Sequence, residues 1–272
     1  MRGKELREAL HAGRRVYGTL IVSTSPAWPK VVGGIGLDFV FIDTEHIAID
    51  RSTLSWMCRI YDALGLSPLV RIPSPDPYQA CMALDDGAEG IMVPYVESAE
   101  QVRRMVGAVK HRPLKGDRLQ ELLAGNGQVG ETTESYLRAW NEDSYLVVNI
   151  ESVPALDALE EIVAVPGLDA VLIGPHDLSI NLGCPEEYEN PRFTEAVKRI
   201  FRTARDAGVG AGCHLGFPGY GVELEKRWME QGANLILHKG DIIAFQETIA
   251  RDIGALKGDE PASGDSLKGG VI

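Results

Sequence analysis

The sequence predicts a single (β/α)₈ barrel, and three observations lead to that prediction. Eight short apolar or β-branched runs recur along the 272 residues, each followed by a polar residue and then a helical stretch. The length suits one barrel of this kind. An open doubly wound sheet usually has a Gly-rich phosphate loop after its first strand, and Val22-Ser23-Thr24-Ser25-Pro26 is not one. Eightfold strand–helix alternation therefore favours a closed parallel barrel.

Each strand is assigned from its apolar run and from the polar residues that follow it. In chain order, with the residues at their carboxyl ends in parentheses, the predicted strands are Val16–Val22 (Ser23), Phe39–Ile42 (Asp43, Glu45, His46), Pro68–Val70 (Arg71), Gly90–Val93 (Pro94, Tyr95), Tyr145–Ile150 (Glu151), Ala170–Ile173 (Gly174, Pro175, His176, Asp177), Val209–Cys213 (His214) and Asn234–Leu237 (His238, Lys239).

The helices between the strands have recognisable ends. Ser98–Val109 reads as a helix with Ser98 as its N-cap. A glycine stands where a helix or its exit turn should end before four of the strands: Gly87, Gly167, Gly208 and Gly232. We expect one domain over residues 1–272, with an insertion at about 111–144 that holds a short helix around Glu134–Trp140. The tail from about residue 257 is expected to be frayed or to serve as a subunit contact.

The composition excludes several classes of protein. The net charge of −12 argues against a nucleic-acid surface, which needs clustered positive charge. No apolar run approaches a membrane span, and the charged amphipathic N-terminus lacks the features of a secretory signal, so we expect a cytoplasmic protein. The four cysteines show no C-x-x-C spacing, which predicts reduced, mostly buried thiols rather than disulfides or a zinc site.

The strand-end residues carry the chemistry, because the active site of such a barrel lies where the strands end. Glu151 and Asp177 follow neighbouring strands, so both carboxylates can face one divalent cation and leave positions for substrate and water. The alternative is that each acid only caps the helix after it.

Two further strand-end residues have both a functional and a structural interpretation. The guanidinium of Arg71 can hold a substrate carboxylate through two parallel hydrogen bonds, or it can form an ion pair within the barrel. His46 can act as a general base near neutral pH, or it can be a passive hydrogen-bonding residue.

Four motifs occur in an order that resembles a known family. They are Phe41-Ile42-Asp43-Thr44-Glu45-His46, Leu69-Val70-Arg71, Ile150-Glu151 and Gly174-Pro175-His176-Asp177-Leu178-Ser179. Together they closely resemble the HpcH/HpaI family of class II pyruvate aldolases, with some resemblance to macrophomate synthase-like members. The likeness runs from about residue 15 to about residue 250, nearly the whole predicted barrel.

The resemblance implies a (β/α)₈ barrel of the phosphoenolpyruvate/pyruvate type, assembled as a hexamer (a trimer of dimers) in which the dimers exchange their last helix. It implies Mg²⁺, Mn²⁺ or Co²⁺ held by Glu151 and Asp177, with a 2-oxo acid, pyruvate or oxaloacetate, bound beside it and an aldehyde or other acceptor as co-substrate. Arg71 would contact the keto acid or its enolate, and His46 would be the acid/base residue. Asp85 matches an acid that reaches His46 from an adjacent subunit. The segment Gly174, Pro175, His176 and Asp177 would hold the substrate carboxylate.

The chain departs from the family pattern on the acceptor side. Asn149 replaces the Gln that commonly precedes the metal-binding Glu by two positions. Leu114-Lys115-Gly116-Asp117-Arg118-Leu119 replaces a Gly-x-Arg-Gly stretch. His214, His238 and Lys239 replace more apolar strand ends. We expect Asn149 and His214 to contact substrate, and the acceptor or the reaction to be unusual.

The predicted activity is that of a metal-dependent carbon–carbon lyase that cleaves or forms 4-hydroxy-2-oxo acids through a pyruvate enolate. The first alternative is an oxaloacetate decarboxylase or an enolate-using synthase on the same scaffold. The second is a Schiff-base aldolase that uses Lys239. The third is a non-catalytic barrel that binds a 2-oxo acid.

Overall fold

The structure is a computed structural model that describes residues 1–215 and 221–258. Its strands form a closed barrel in which each strand is parallel to both of its neighbours, in chain order. They are β1 Val16–Leu20, β2 Phe39–Asp43, β3 Ser67–Arg71, β4 Gly90–Val93, β5 Tyr145–Asn149, β6 Ala170–Ile173, β7 Gly210–Leu215 and β8 Leu235–Gly240.

Helices alternate with the strands on the outside of the barrel, as the sequence predicted. They are α1 Gly3–His11, α2 Trp28–Val32, α3 Arg51–Ala63, α4 Pro77–Asp85, α5 Ala99–Lys110, α6 Gly116–Leu123, α7 Glu131–Trp140, α8 Val153–Asp157, α9 Leu159–Val163, α10 Pro175–Asn181, α11 Pro191–Asp206, α12 Val222–Glu230 and α13 Asp241–Lys257. The (β/α)₈ prediction is confirmed.

The predicted strand boundaries are close to the observed ones. The predictions for β4 and β6 agree to the residue, and Ser98 caps α5 by accepting a hydrogen bond from the Gln101 amide. The strands β7 and β8 run past their predicted ends, so His214 and Lys239 belong to strands rather than to loops. The side chains of His214 and Lys239 are polar, and for this reason the prediction ended each strand too early.

The barrel interior is filled by alternate residues of the strands. Phe39, Phe41, Leu69, Tyr145 and Val147 are fully buried in one cluster. Because side chains alternate between the two faces of a strand, two residues further on the inward positions are Asp43, Arg71 and Asn149. The inward positions therefore change from apolar to polar at the carboxyl ends of the strands, at the opening that we call the mouth.

The amino end of the barrel is closed by α1. Its residues Leu6 and Leu10 are fully buried, and the amide of Gly3 donates to the Glu89 carboxylate at 2.8 Å. His11, at the other end of the helix, lies 3.0 Å from the buried carboxylate of Asp169. These contacts belong to the side of the barrel that carries stability rather than catalysis.

The insertion at 111–144 contains two helices, α6 and α7, where the sequence predicted one. The stretch that departs from the family pattern begins α6, and α6 packs against α5 where Gly107 leaves room for Leu119 and Leu123. The predicted tail falls mainly on residues 259–272, which lie outside the described residues. The division into one domain with an insertion stays a prediction.

Two other expectations can be compared with the described residues. The cysteines Cys58, Cys81, Cys184 and Cys213 are free thiols, and all but Cys81 are buried, which confirms the cysteine prediction. Among residues 1–215 and 221–258, no helix has the length and apolar character needed to cross a membrane.

Candidate active site

Arg71, at the end of β3, is held by acids of β2. Asp43 and Arg71 are paired in the register of the two strands, and the Asp43 carboxylate accepts hydrogen bonds from Nε at 2.9 Å and from Nη2. Burial alone would raise the pKa of Asp43, but the bonds to Arg71 hold that pKa below its ordinary value. Arg71 therefore forms the ion pair within the barrel that was one of its two interpretations, through the Nε–Nη2 edge of its guanidinium, and its contact with substrate stays a prediction.

Glu151, directly after β5, is a buried acid with neutral hydrogen-bond donors. Its side chain is almost inaccessible, at 2% exposure. Oε1 accepts from the Tyr95 amide at 2.8 Å, and Oε2 accepts from the side-chain amide of Asn149 at 3.0 Å. Burial, with the nearby charge of Asp177 as a smaller cause, raises the pKa of Glu151 to about 7 against the effect of these hydrogen bonds. A cation beside Glu151 would favour its charged form.

Two small features of the chain make room for this carboxylate and fix its direction. A Cβ on Gly174 would lie 2.3 Å from Glu151 Oε2, so only glycine allows β6 to approach the acid this closely. The side-chain amide of Asn149 donates to Glu151, while its buried Oδ1 has no hydrogen-bond partner among the described residues. Contact of Asn149 with substrate stays a prediction.

Asp177 lies in the first turn of α10 and is connected to Glu151 through Tyr95. The Tyr95 hydroxyl donates to Asp177 Oδ1 at 2.9 Å, while the amide of the same residue donates to Glu151. Tyr95 was recognised in the sequence only as a residue that follows β4, and it was not included among the site residues. Its position at a strand end was the available signal, but an uncharged side chain did not stand out.

The capping interpretation of the two acids is not what the structure has. Ser152 is the N-cap of α8 and accepts from the Ala155 amide. Gly174 is the N-cap of α10. Glu151 therefore caps no helix, and Asp177 stands three residues inside its helix with its carboxylate turned to Tyr95. Both acids are available for another role.

His46 lies at the rim of the mouth, beside Glu45. Its Nε2 is 3.6 Å from Glu45 Oε2, and about half of its side chain is exposed. Glu45 also lies 3.1 Å from Arg71 Nε. Burial raises the pKa of Glu45, and the charges of Arg71 and His46 oppose that rise. An accessible imidazole next to the site can exchange protons with a bound molecule.

His214, near the end of β7, points into the barrel. Its ring meets Phe41 edge-on, with 5.5 Å between centroids. Burial, with the Arg71 charge as a second cause, lowers the pKa of His214 to about 3, so the imidazole is neutral. Its Nε2 is buried and has no hydrogen-bond partner within the described chain. This nitrogen can accept or donate one hydrogen bond inside the mouth.

The remaining predicted residues are placed as follows. In the segment after β6, Pro175 is buried, and His176 is half-exposed with Nδ1 3.6 Å from Glu186. Asp85 ends α4, at the amino end of the barrel, and is bonded there by Arg112. A helix that follows a barrel strand runs away from the mouth, so Asp85 does not meet His46 within one chain.

The two basic residues at the end of β8 pair with acids of neighbouring helices. Lys239 forms an ion pair with Glu247 of α13, and His238 Nδ1 lies 2.7 Å from Glu225 of α12. A catalytic amine would have to be desolvated and directed at the substrate. The placement of Lys239 gives no support to a Schiff base.

The donor set at the mouth fits a divalent metal in an open site. No group of three or more His, Cys, Asp or Glu side chains is arranged to enclose a metal within residues 1–215 and 221–258. Glu151 and Asp177 supply two carboxylates, and the hydrogen bonds they accept here come from neutral groups. Oxygen ligands and vacant positions are what Mg²⁺ and similar ions use when they also bind substrate and water.

The match to a family model decides the family. The model described as HpcH/HpaI aldolase/citrate lyase matches residues 17–233, which includes every strand-end residue up to β7. The chain belongs to the HpcH/HpaI aldolase/citrate lyase family. The resemblance found in the four motifs is thereby confirmed.

Named relatives of this HpcH/HpaI member are aldolases and a synthase. The chain is 32% identical, over 89% of its length and 92% of the relative's, to a 2-dehydro-3,6-dideoxy-6-sulfogluconate aldolase of Pseudomonas putida. An HpcH/HpaI aldolase of Desulfitobacterium hafniense is 31% identical with a TM-score of 0.78, over 93% of this chain and 96% of that one. The citrate synthase SbnG is 28% identical with a TM-score of 0.78, over 94% and 99%.

Macrophomate synthase, to which the sequence also shows some resemblance, is a structural neighbour. It is 23% identical with a TM-score of 0.75, over 94% of this chain and 89% of that one. At this identity the likeness shows a shared fold. Membership of the HpcH/HpaI family makes the chain an enzyme, a metal-dependent carbon–carbon lyase of the aldolase type.

Proposed function

We propose that the chain cleaves or forms a 4-hydroxy-2-oxo acid at the mouth of the barrel, with pyruvate as the common product or donor. The observation that carries the proposal is the pair of acids Glu151 and Asp177, which cap no helix and share one tyrosine as hydrogen-bond donor. We assign them as the ligands of Mg²⁺, Mn²⁺ or Co²⁺. When bound, such a cation polarises the keto oxygen of a 2-oxo acid and stabilises the negative charge that develops there.

Residues around the acids would orient the keto acid. The backbone of Gly174 lies beside Glu151, and the amides of His176 and Asp177 in the first turn of α10 can donate to a carboxylate, whereas Pro175 has no amide hydrogen. Arg71 already holds Asp43 through one edge of its guanidinium, so a contact to substrate would use the Nη1 side. The bonds from Asp43 thus fix the position of the Arg71 guanidinium, so this side chain does not have to move when substrate binds.

His46 is assigned as the residue that exchanges the proton of the acceptor-derived hydroxyl. It is accessible at the rim and close to Glu45, which can keep its ring in place. Asp85 is assigned to the same step in an adjacent subunit, since it points away from the mouth of its own barrel. Mixing inactive Glu151→Gln and Asp85→Asn subunits tests this, because activity that neither variant has alone requires a site shared between chains.

The proposed assembly is a hexamer built from dimers that exchange α13. Four apolar residues along one stripe of α13 are exposed: Phe245, Ile249, Ile253 and Leu256. Only Asp241 and Ile243 of this 17-residue helix are buried, so most of its surface is uncovered in one chain. Exposed apolar stripes of this kind favour a partner, and light scattering on the purified protein measures its size.

The acceptor side is assigned to His214. Its ring is neutral, and its buried Nε2 has no hydrogen-bond partner among the described residues, so it can bond an acceptor oxygen. Asn149 contributes indirectly by orienting Glu151.

The test is a screen of aldehydes and 2-oxo acids with Mg²⁺, Mn²⁺ and Co²⁺, in which released or consumed pyruvate is measured. We expect turnover that EDTA abolishes and that a divalent metal restores. Full activity in EDTA would contradict the metal assignment, and trapping of a covalent adduct by borohydride would favour the Schiff-base alternative.

The same screen distinguishes the aldolase reaction from the alternative of a decarboxylase or synthase. Pyruvate formed from oxaloacetate without an aldehyde, or a condensed product from oxaloacetate and an acceptor, would identify that reaction. The 28% identity to a protein named as a citrate synthase is the observation that favours testing it. No turnover of any pair, with pyruvate still bound, would identify a binding barrel.

A further inference from the structure

One loop of the chain contacts both acids of the candidate metal site. The loop between β4 and α5 presents Tyr95, whose amide donates to Glu151 Oε1 at 2.8 Å and whose hydroxyl donates to Asp177 Oδ1 at 2.9 Å. Glu97 of the same loop accepts from the hydroxyl of Ser152 at 2.7 Å. The segments that follow β5 and β6 are thus connected through a third strand end.

The backbone of Tyr95 has an uncommon conformation. Its φ is 49°, in the left-handed region that favours glycine. An L-residue with a side chain loses about 1–2 kcal/mol there, and such conformations persist where the surroundings fix them and often where function requires them. Tyr95 is also 44% exposed, so burial of its ring does not account for a tyrosine at a position that glycine would occupy without strain.

The contacts determine which carboxylate oxygens remain for a cation. Asp177 Oδ1 is bonded by the phenol, and both oxygens of Glu151 accept one hydrogen bond each, from Tyr95 and Asn149. Asp177 Oδ2 takes no part in these bonds. Two neighbouring carboxylates repel each other, and neutral donors that bond them hold them in place before a cation binds.

We propose that Tyr95 is a positioning residue that sets the affinity of this site for a divalent cation by holding Asp177 beside Glu151. This inference rests on the proposed function, in which the two acids bind the cation. Tyr95 does not itself need to touch the metal or the substrate. Its hydroxyl acts on Asp177, and its backbone amide acts on Glu151.

The experiment measures Mn²⁺ binding to the metal-free protein by the electron paramagnetic resonance signal of free Mn²⁺. Tyr95→Phe keeps the ring and the amide and removes only the hydroxyl, and we expect it to weaken Mn²⁺ binding about 10–100-fold. Tyr95→Gly keeps the amide and removes the backbone strain, and it should show a similar loss. Tyr136→Phe, on α7 and 52% exposed, is the matched control and should bind as the parent does.

Thermal unfolding of the same metal-free samples separates positioning from a general structural role. We expect the Tm of both Tyr95 variants to stay within about 4 °C of the parent, the shift that roughly 1 kcal/mol produces in a chain of this size. An unchanged Mn²⁺ affinity in Tyr95→Phe would overturn the inference, as would a loss that follows an equal loss of Tm.

The failure of the proposed function would look different. If the parent protein itself does not bind Mn²⁺, or if Glu151→Gln binds it as well as the parent does, the two acids are not the metal ligands. A different result would contradict only the role of Tyr95. In that case the parent and Tyr95→Phe bind Mn²⁺ equally well and Glu151→Gln does not, which supports the metal site and excludes a positioning role for Tyr95.

Discussion

Two buried glutamates, Glu151 at the mouth and Glu89 at the amino end, show how the two ends of the barrel differ. Burial raises the pKa of each to about 7. Glu89 accepts from the Ser67 hydroxyl at 2.7 Å and the Gly3 amide at 2.8 Å, and Arg2 lies 3.2 Å from its other oxygen. At the amino end, a charged side chain of the same chain, Arg2, therefore pairs with the buried acid Glu89.

Glu151 has a different neighbourhood. Its hydrogen bonds come from two amides, and the adjacent charged group is a second acid, Asp177. The guanidinium of Arg71 hydrogen-bonds Asp43 and lies close to Glu45, and its charge only partly opposes the rise in the pKa of Glu151. At the amino end Arg2 pairs with the buried acid, whereas in the proposed function a cation from outside the chain binds the acids at the mouth. This is the division between stability and function that barrels of this type show.

The largest expected effect is that of Glu151→Gln. We expect the Mg²⁺-dependent exchange of pyruvate methyl protons with solvent to fall by about 10³-fold or more, because a lost ligand removes several kcal/mol of charge stabilisation. Proton NMR in deuterated water measures the exchange. Glu89→Gln is the control at the other end and should exchange protons normally. Full exchange in Glu151→Gln would show that Glu151 is not a ligand of the catalytic metal.

His46→Ala is expected to have the next largest effect. Aldol cleavage should slow by about 10²–10⁴-fold if His46 is the acid/base residue, whereas the Tm should not change, since about half of the side chain is exposed. The rate of pyruvate release, coupled to its reduction by lactate dehydrogenase, measures the first quantity. A rate equal to that of the parent would exclude His46 from the proton transfer.

Glu89→Gln should affect stability alone, and its effect should depend on pH. The pKa of Glu89 is raised from 4.5 to about 7 in the folded chain, so the folded state binds the proton more tightly. The stabilisation is complete below pH 4.5 and is lost as the pH rises through about 7. Relative to the Gln variant, the parent should lose about 2 kcal/mol of unfolding free energy between pH 5.5 and pH 8.5.

Urea unfolding at these two pH values measures the difference. Mg²⁺ should leave it unchanged, because the amino end of the barrel has no part in the proposed metal site. A difference between parent and Gln variant that is constant with pH would show that Glu89 does not titrate as its burial implies.

The contrast between the two ends was only partly predictable from the sequence. The eight strands were found because alternation of apolar runs and helices is a local signal. Asp43 and Arg71 were each noted as strand-end residues, but their pairing was not predicted, because it depends on the register between β2 and β3. Tyr95 was missed as a site residue because its role comes from where its amide and hydroxyl point, which composition does not encode.

Some contacts and elements could not be found in the sequence. Asn149 was expected to contact substrate, and the structure adds a bond from its side-chain amide to Glu151, two residues further along the chain. Helix α6 was not recognised, and its first residue is Gly116, a poor helix former. The proposed meeting of Asp85 with His46 involves a second chain, and no pattern within one chain can place it.

Lys239→Met is expected to have the smallest effect and sharpens the comparison at the mouth itself. Lys239 belongs to the last strand end, but its ammonium pairs with Glu247 of α13 rather than facing the acids. We expect activity close to that of the parent. The two paired side chains are 17% and 24% exposed, so the loss in stability should be about 1 kcal/mol, the upper end of the range for ion pairs that still contact solvent. Loss of turnover together with borohydride trapping in the parent would instead make Lys239 the nucleophile. If the variant is active, position at a strand end is not sufficient for a role in the reaction. Lys239 pairs with an acid of its own fold, whereas the hydrogen bonds to Glu151 and Asp177 within the described residues come from neutral groups and leave both acids able to bind a cation.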